Sequence, residues 1–233
     1  MTKMTTRYHV DRDVKNGSME MNAQSPQNLL KRYFGHDQFR PSQAEIIDHI
    51  LAGGHAMVVM PTGMGKSLCY QIPALTLSSN DESLVLVLSP LIALMQDQVD
   101  SLLRRGIDAT YINSSLDRQT RLARYEALSA GAYQLLFVTP ERFRKDDFRD
   151  ALSRRNVSLL AIDEAHCVSQ WGHDFRPDYT RVKEIRASIG NPPTVALTAT
   201  ATAECRQDIY KQIGIGQAEI KLFHEGIDRP NLH

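Results

Sequence analysis

Six short apolar runs, alternating with longer stretches of helical periodicity, constrain the fold of this 233-residue chain more than any other feature. The runs are Ala56–Met60, Leu84–Leu88, Ala109–Ile112, Leu135–Val138, Leu159–Ile162 and Val195–Leu197. Several are apolar throughout, which is how a strand buried on both faces reads. Between them, Leu91–Arg105 sets Leu91, Leu94, Met95, Val99, Leu102 and Leu103 along one helical face. Asp117–Leu128 and Ala203–Ile213 read similarly, and Asp117 and Thr202 are suited to cap them. Repeated strand–helix–strand units dictate an α/β fold, a mostly parallel sheet with helices on both faces. Such sheets bind ligands at the carboxyl ends of their strands, so the chemistry is expected immediately after strands.

Composition narrows the partners. The 27 basic and 27 acidic side chains cancel, so a phosphate-binding surface must come from local clustering rather than a basic excess. Cys69, Cys167 and Cys205 are scattered, with no Cys-x-x-Cys pair, which argues against a disulfide framework and a structural zinc site and points to a reducing cytoplasmic setting. No apolar run reaches the length of a membrane span, so no membrane partner is expected. Residues 1–25 are polar and lack apolar periodicity, and read as a disordered leader before a domain that begins at residue 26.

The chemistry does follow strands. After Ala56–Met60 comes Pro61-Thr62-Gly63-Met64-Gly65-Lys66-Ser67, then helical sequence. Glycines let a backbone curl around a phosphate and point N–H groups at it from a helix N-terminus. Lys66 would supply a charge for the β- and γ-phosphates, and the Ser67 hydroxyl a ligand for Mg²⁺. The strict pattern begins with Gly where this chain has Met60, and the Pro-Thr-Gly lead-in points away from small GTPases. A Gly-rich turn that binds nothing is the plain alternative.

Leu159–Ile162 runs straight into Asp163-Glu164-Ala165-His166. Asp163 is suited to holding Mg²⁺, and Glu164 to orienting and deprotonating the attacking water, the division of labour that ATP hydrolysis needs. Without the phosphate loop, the same residues would read as a charged strand end turned to solvent.

With these two boxes in place, the chain from about Asn28 resembles the first motor lobe of RecQ-type DNA helicases, DEAH-box members of superfamily 2, which implies a RecA-like P-loop NTPase fold. Phe34-Gly35-His36-Asp37-Gln38-Phe39-Arg40-Pro41-Ser42-Gln43 is similar to the family's adenine-reading segment. There Gln43 would read the base edge, Arg40 flank the nucleotide, and His36 stack on the base where the family has Tyr. Phe39 alone reads better as a core residue. Ser89-Pro90-Leu91-Ile92-Ala93-Leu94-Met95-Gln96 and Thr139-Pro140-Glu141-Arg142 occupy the family's DNA-contacting positions, which puts Ser89, Pro90, Gln96, Thr139 and Arg142 at the nucleic acid. Both segments are also ordinary strand-to-helix turns.

Ser169-Gln170-Trp171-Gly172-His173-Asp174-Phe175-Arg176 carries the chain's only Trp, and aromatic and Arg side chains on a polar loop suit stacking on single-stranded bases. The resemblance gives Trp171, Phe175 and Arg176 the role of coupling DNA to ATP, with His166 and Gln170 on the nucleotide side. It also makes Leu197-Thr198-Ala199-Thr200 a bridge between the acidic box and DNA through Thr198 and Thr200. Those hydroxyls can equally cap a helix.

The resemblance thus implies ATP and Mg²⁺ as cofactors, 3′–5′ DNA unwinding in repair and recombination, and a nucleoid-associated location. Residues 221–233 read as a linker towards a second RecA-like lobe that would bring an arginine finger, so this chain is expected to hydrolyse ATP slowly and not to unwind duplexes alone. The rival readings are another superfamily 2 translocase, an RNA helicase, or a non-catalytic nucleotide-binding module.

Overall fold

The computed structural model describes residues 25–78 and 83–225. Seven strands form one parallel sheet: β1 (His55–Val59), β2 (Ser83–Leu88), β3 (Ala109–Ile112), β4 (Leu135–Val138), β5 (Asn156–Ile162), β6 (Thr194–Thr198) and β7 (Ile220–His224). Their order across the sheet is β3-β4-β2-β5-β6-β1-β7, and every neighbouring pair runs parallel. All six expected strands are present, with bounds shifted by three residues at most.

The eight α-helices are α1 (Pro26–Leu29, continued by a π-helical turn over Leu30–Phe34), α2 (Pro41–Leu51), α3 (Leu68–Leu77), α4 (Ile92–Arg104), α5 (Arg118–Ser129), α6 (Asp146–Leu152), α7 (Val182–Ser188) and α8 (Ala203–Ile213) among the described residues. Alternate strand residues face opposite layers. Ala56, Val58, Val85, Val87, Leu159 and Ala161 pack with α1–α4, whereas Met57, Val59, Leu86, Leu88, Leu160 and Ile162 pack with α5–α8. Both layers are apolar because both faces of the sheet are covered. The caps form as expected: Asp117 accepts the Thr120 N–H at 2.9 Å and Thr202 accepts the Cys205 N–H at 3.2 Å.

Two expectations change. The α4 stripe is narrower than its periodicity predicts, because Leu91 is the extended residue before the helix and Leu103 lies on its outer side; both are exposed while Met95, Val99 and Leu102 are buried. Lys221–His224, expected as the start of a linker, instead complete β7 and pair with Ala56–Val59 of β1. β7 is an edge strand that buries only Ile220 and Phe223, a spacing of three that hides its period. The leader through residue 24 and the linker from residue 226 lie outside the described residues; Ser25 caps α1 by accepting the Asn28 N–H. Phe39 packs partly buried against the core, as read from the sequence.

Candidate functional site

The sheet order brings the sequence motifs to one edge. Across β4-β2-β5-β6-β1, the strands end in Thr139, Ser89, Asp163, Thr198 and the Met60–Ser67 loop. Backbone bonds stitch this row: Ser89 N–H donates to Val138 O, Asp163 N–H to Leu88 O and Met60 N–H to Thr198 O. Adjacent strands sit about 4.8 Å apart, so the phosphate loop lies two strands from Asp163, with Thr198 between.

Gly63 and Gly65 adopt φ of 83° and 79°, which curls the loop before α3. No acceptor among the described residues takes the N–H of Gly65, Lys66 or Ser67, so the loop presents free donors at a helix start, as an anion site requires. Lys66 Nζ donates to the carbonyl of Met60 at 3.0 Å, which holds its ammonium over the loop. Met60, which stands where the strict pattern has Gly, is itself fully buried.

The segment before the loop clamps it. Gln43 Nε2 donates to Met64 O and Gly65 O, both at 3.1 Å, and Gln43 Oε1 accepts the Arg40 N–H at 2.9 Å. Arg40 donates from Nη1 to Gly63 O at 3.0 Å. Gln43 is therefore buried with both ends of its amide engaged, so reading an adenine edge would require it to release the loop. His36 is exposed on the rim of a cleft of about 350 Å³ that is also lined by Phe34, Gly65, Ser67 and Gln71. This cleft gives a base room beside the loop.

Asp163 and Glu164 follow β5 but differ in environment. Asp163 is buried and accepts the Glu164 N–H at 3.1 Å. Burial, and then the neighbouring Glu164 charge, push its carboxyl up to about 6. An acid whose folded pKa exceeds its unfolded value destabilises the fold once ionised: the cost is absent below about 4, grows as pH rises through 6 and is full above it. Asp163→Asn is therefore expected to raise the melting temperature at pH 7.5 without Mg²⁺, by the equivalent of roughly 1–3 kcal/mol, and to leave it unchanged near pH 4. Thermal scans at the two pH values check this; equal shifts at both would contradict it.

Glu164 is the turning point, with a left-handed φ of 50° that costs on the order of 1–3 kcal/mol outside glycine. Its Oε2 lies 3.3 Å from His166 Nδ1. His166 Nδ1 is also 3.0 Å from Thr198 Oγ1, and Thr198 donates its hydroxyl proton to Thr200 O at 3.0 Å. Thr198 must then accept from His166, which assigns the ring proton to Nδ1. Burial, then His173, hold the imidazole pKa below its usual value, so it is neutral at pH 7. Glu164, His166 and Thr198 thus form one connected path from the acidic box to the end of β6.

The Trp171 loop docks on this path. The His166 and His173 rings stack at 4.1 Å. Arg176 donates to Asp174 Oδ2 from Nε and Nη2 and to Pro90 O from Nη1 at 2.9 Å, joining the loop to the Ser89–Pro90 turn. Trp171 is 75% exposed, and Gln170 is exposed beside it, while Phe175 is half-buried. His166, Cys167 and Asp174 place ligand-type atoms within 4.8 Å of one another, but Arg176 already neutralises Asp174, and burial with the Asp174 charge pushes the Cys167 thiol up to about 12.

The expected nucleic-acid contacts divide. Ser89, Pro90 and Thr139 are buried; Ser89 N–H is spent on the sheet and Thr139 Oγ1 donates to Glu141. They sit just past the ends of β2 and β4, where neighbouring strand ends take them out of solvent in this structure. Gln96 is half-buried and donates to the Tyr111 hydroxyl at 3.3 Å, and Arg142 is half-buried with its Nε shielded. Thr200 is exposed, though its carbonyl is taken by Thr198. Sequence reasoning missed Asp208 of α8, which accepts from Ser169 Oγ at 2.8 Å and from the Gln170 N–H at 2.9 Å. No sequence signal marks it, because an Asp at the border of an amphipathic helix's buried stripe is ordinary.

Comparison with known proteins points the same way as this geometry. The family model described as DEAD/DEAH box helicase matches residues 40–209. The chain is 45% identical over 209 residues to the ATP-dependent DNA helicase RecQ of Pasteurella multocida, covering 90% of this chain and 32% of that protein. It is 47% identical over 208 residues to RecQ of Bacillus subtilis, covering 88% and 34%. The chain therefore spans about a third of the length of these relatives. Among solved structures, the DUF1998 helicase MrfA bound to DNA and AMPPNP superposes with a TM-score of 0.66 at 21% identity, covering 88% of this chain and 29% of that one, a likeness of fold.

Proposed function

The chain belongs to the DEAD/DEAH box helicase family, and on that premise we propose that it is the ATP-binding and ATP-hydrolysing first lobe of a RecQ-type DNA helicase. The observation that carries the reading is the single row of strand ends, where the free N–H groups of the Lys66 loop, the Asp163–Glu164 pair and Thr198 meet. The residues present suit ATP·Mg²⁺. The loop N–H groups and Lys66 would take the phosphates, and Ser67 and Asp163 would hold the ion, which offsets developing charge on the transferred phosphoryl group. Arg40, Thr62, Gly63 and Met64 would flank the nucleotide, with His36 stacking on the base and Gln43 exchanging its loop contacts for the adenine edge. Glu164 would orient and deprotonate the attacking water.

Single-stranded DNA would meet Trp171 and Phe175 on the exposed loop, and Arg176, Gln170, His166, Thr198 and Thr200 would report its binding to Glu164. Residues 26–224 would form this lobe, and the segment beyond would lead to a second RecA-like lobe completing the nucleotide site. The test is ATP hydrolysis by the chain with no nucleic acid, with single-stranded DNA and with RNA of equal length. Slow hydrolysis stimulated more by DNA than by RNA is expected. Stimulation by RNA alone would favour an RNA helicase, and no hydrolysis under any condition would favour a non-catalytic module.

A further inference from the structure

The Trp171 loop is held by a carboxylate that plays no part in the row of strand ends. Asp208 Oδ2 accepts the Ser169 hydroxyl at 2.8 Å and the Gln170 N–H at 2.9 Å, and its Oδ1 accepts from Gln212 Nε2 at 3.3 Å. Ser169 is fully buried, and its Oγ accepts the Trp171 N–H at 3.1 Å. A short chain of hydrogen bonds therefore runs from Asp208 through Ser169 to the backbone of Trp171. The indole is three-quarters exposed, so packing on its own ring contributes little to where it sits.

Asp208 is also fixed at its other end. It lies six residues into α8 from the cap Thr202, about 9 Å along a rigid helix. That cap lies one residue beyond Thr198–Thr200, the turn that bonds His166. We infer that Asp208 is a positioning residue that ties the Trp171 loop to α8, so that movement of the Thr198–Thr200 turn carries Trp171 with it. The contact stands on the geometry alone, while its consequence for nucleic-acid binding rests on the function proposed above.

Trp171 is the only Trp of the chain, so its fluorescence reports this loop without labelling. Time-resolved anisotropy of the 233-residue chain should show a new fast local component in Asp208→Ala. The same component should appear in Ser169→Ala, and the double variant should be no looser than Asp208→Ala. Asp208→Asn keeps an acceptor oxygen and should restore most of the wild-type anisotropy. A purely structural role would lower the melting temperature without selectively freeing Trp171 in the folded state. A single-stranded oligodeoxynucleotide titrated against Trp171 fluorescence should bind roughly 5- to 30-fold more weakly to Asp208→Ala. Unchanged Trp171 anisotropy in Asp208→Ala would overturn the inference. A loosened Trp171 in the variant, together with no DNA response in the wild type, would uphold Asp208 and overturn the DNA reading instead.

Discussion

Replacing Glu164 with Gln is expected to cut ATP hydrolysis by about 10²- to 10⁴-fold while leaving nucleotide affinity within a few-fold of wild type. The substitution removes proton acceptance and little else. Gln has the same length, and its amide oxygen can still face His166 Nδ1, which carries the proton because Thr198 spends its own on Thr200. The left-handed turn at position 164 depends on the backbone rather than on the carboxylate, so the path from Glu164 to β6 should survive. Glu164 is also the more accessible of the pair, with its side chain 24% exposed, whereas Asp163 is buried. Water can therefore reach the first more readily than the second. Phosphate release and binding of a fluorescent ATP analogue, measured on the same preparation, separate the two effects. Hydrolysis near the wild-type rate would remove Glu164 from the reaction, and a parallel loss of binding would mean that it holds the nucleotide instead.

The parts of this site that were legible in the sequence are those with a local cause. Gly63 and Gly65 announce a loop because glycine alone takes those positive φ values cheaply, and both adopt them. Asp163 and Glu164 read as a strand end because an apolar run stops there, and β5 does end at Ile162. Long-range partners were not legible. Nothing near Gln43 says that its amide bridges the carbonyls of Met64 and Gly65 more than twenty residues away, and nothing near Asp208 names Ser169. Ser89 and Thr139 show another limit: hydroxyls just after strands look accessible in the sequence, yet both are buried among neighbouring strand ends. β7 is hard to read as a strand because its buried residues, Ile220 and Phe223, lie three apart rather than in alternation.

Gly172 shows how tightly the loop is set, and Gly172→Ala should be among the most damaging single changes to it. A Cβ at this position would lie 2.0 Å from the carbonyl oxygen of His166, 2.9 Å from its carbonyl carbon and 3.2 Å from Ser169 O. All three are backbone atoms, so no side chain can swing aside. Gly172 and Ser169 are also locked by a ladder of turns, with Gly172 N–H on Ser169 O and Ser169 N–H on His166 O. The Ala variant must therefore push the loop off the residue whose ring contacts Glu164, Thr198 and His173. Overpacking of this kind costs at least about 1–3 kcal/mol, and the displaced loop should lose most of its influence on hydrolysis. Trp171→Ala is the informative control. Its ring is exposed, so stability should stay within about 0.5 kcal/mol of wild type while binding to single-stranded DNA weakens. Thermal denaturation and DNA-stimulated hydrolysis of the two variants should thus split, with Gly172→Ala failing in both and Trp171→Ala only in the second. A Gly172→Ala chain that melts and hydrolyses like wild type would mean that the loop has room the close approach to His166 denies.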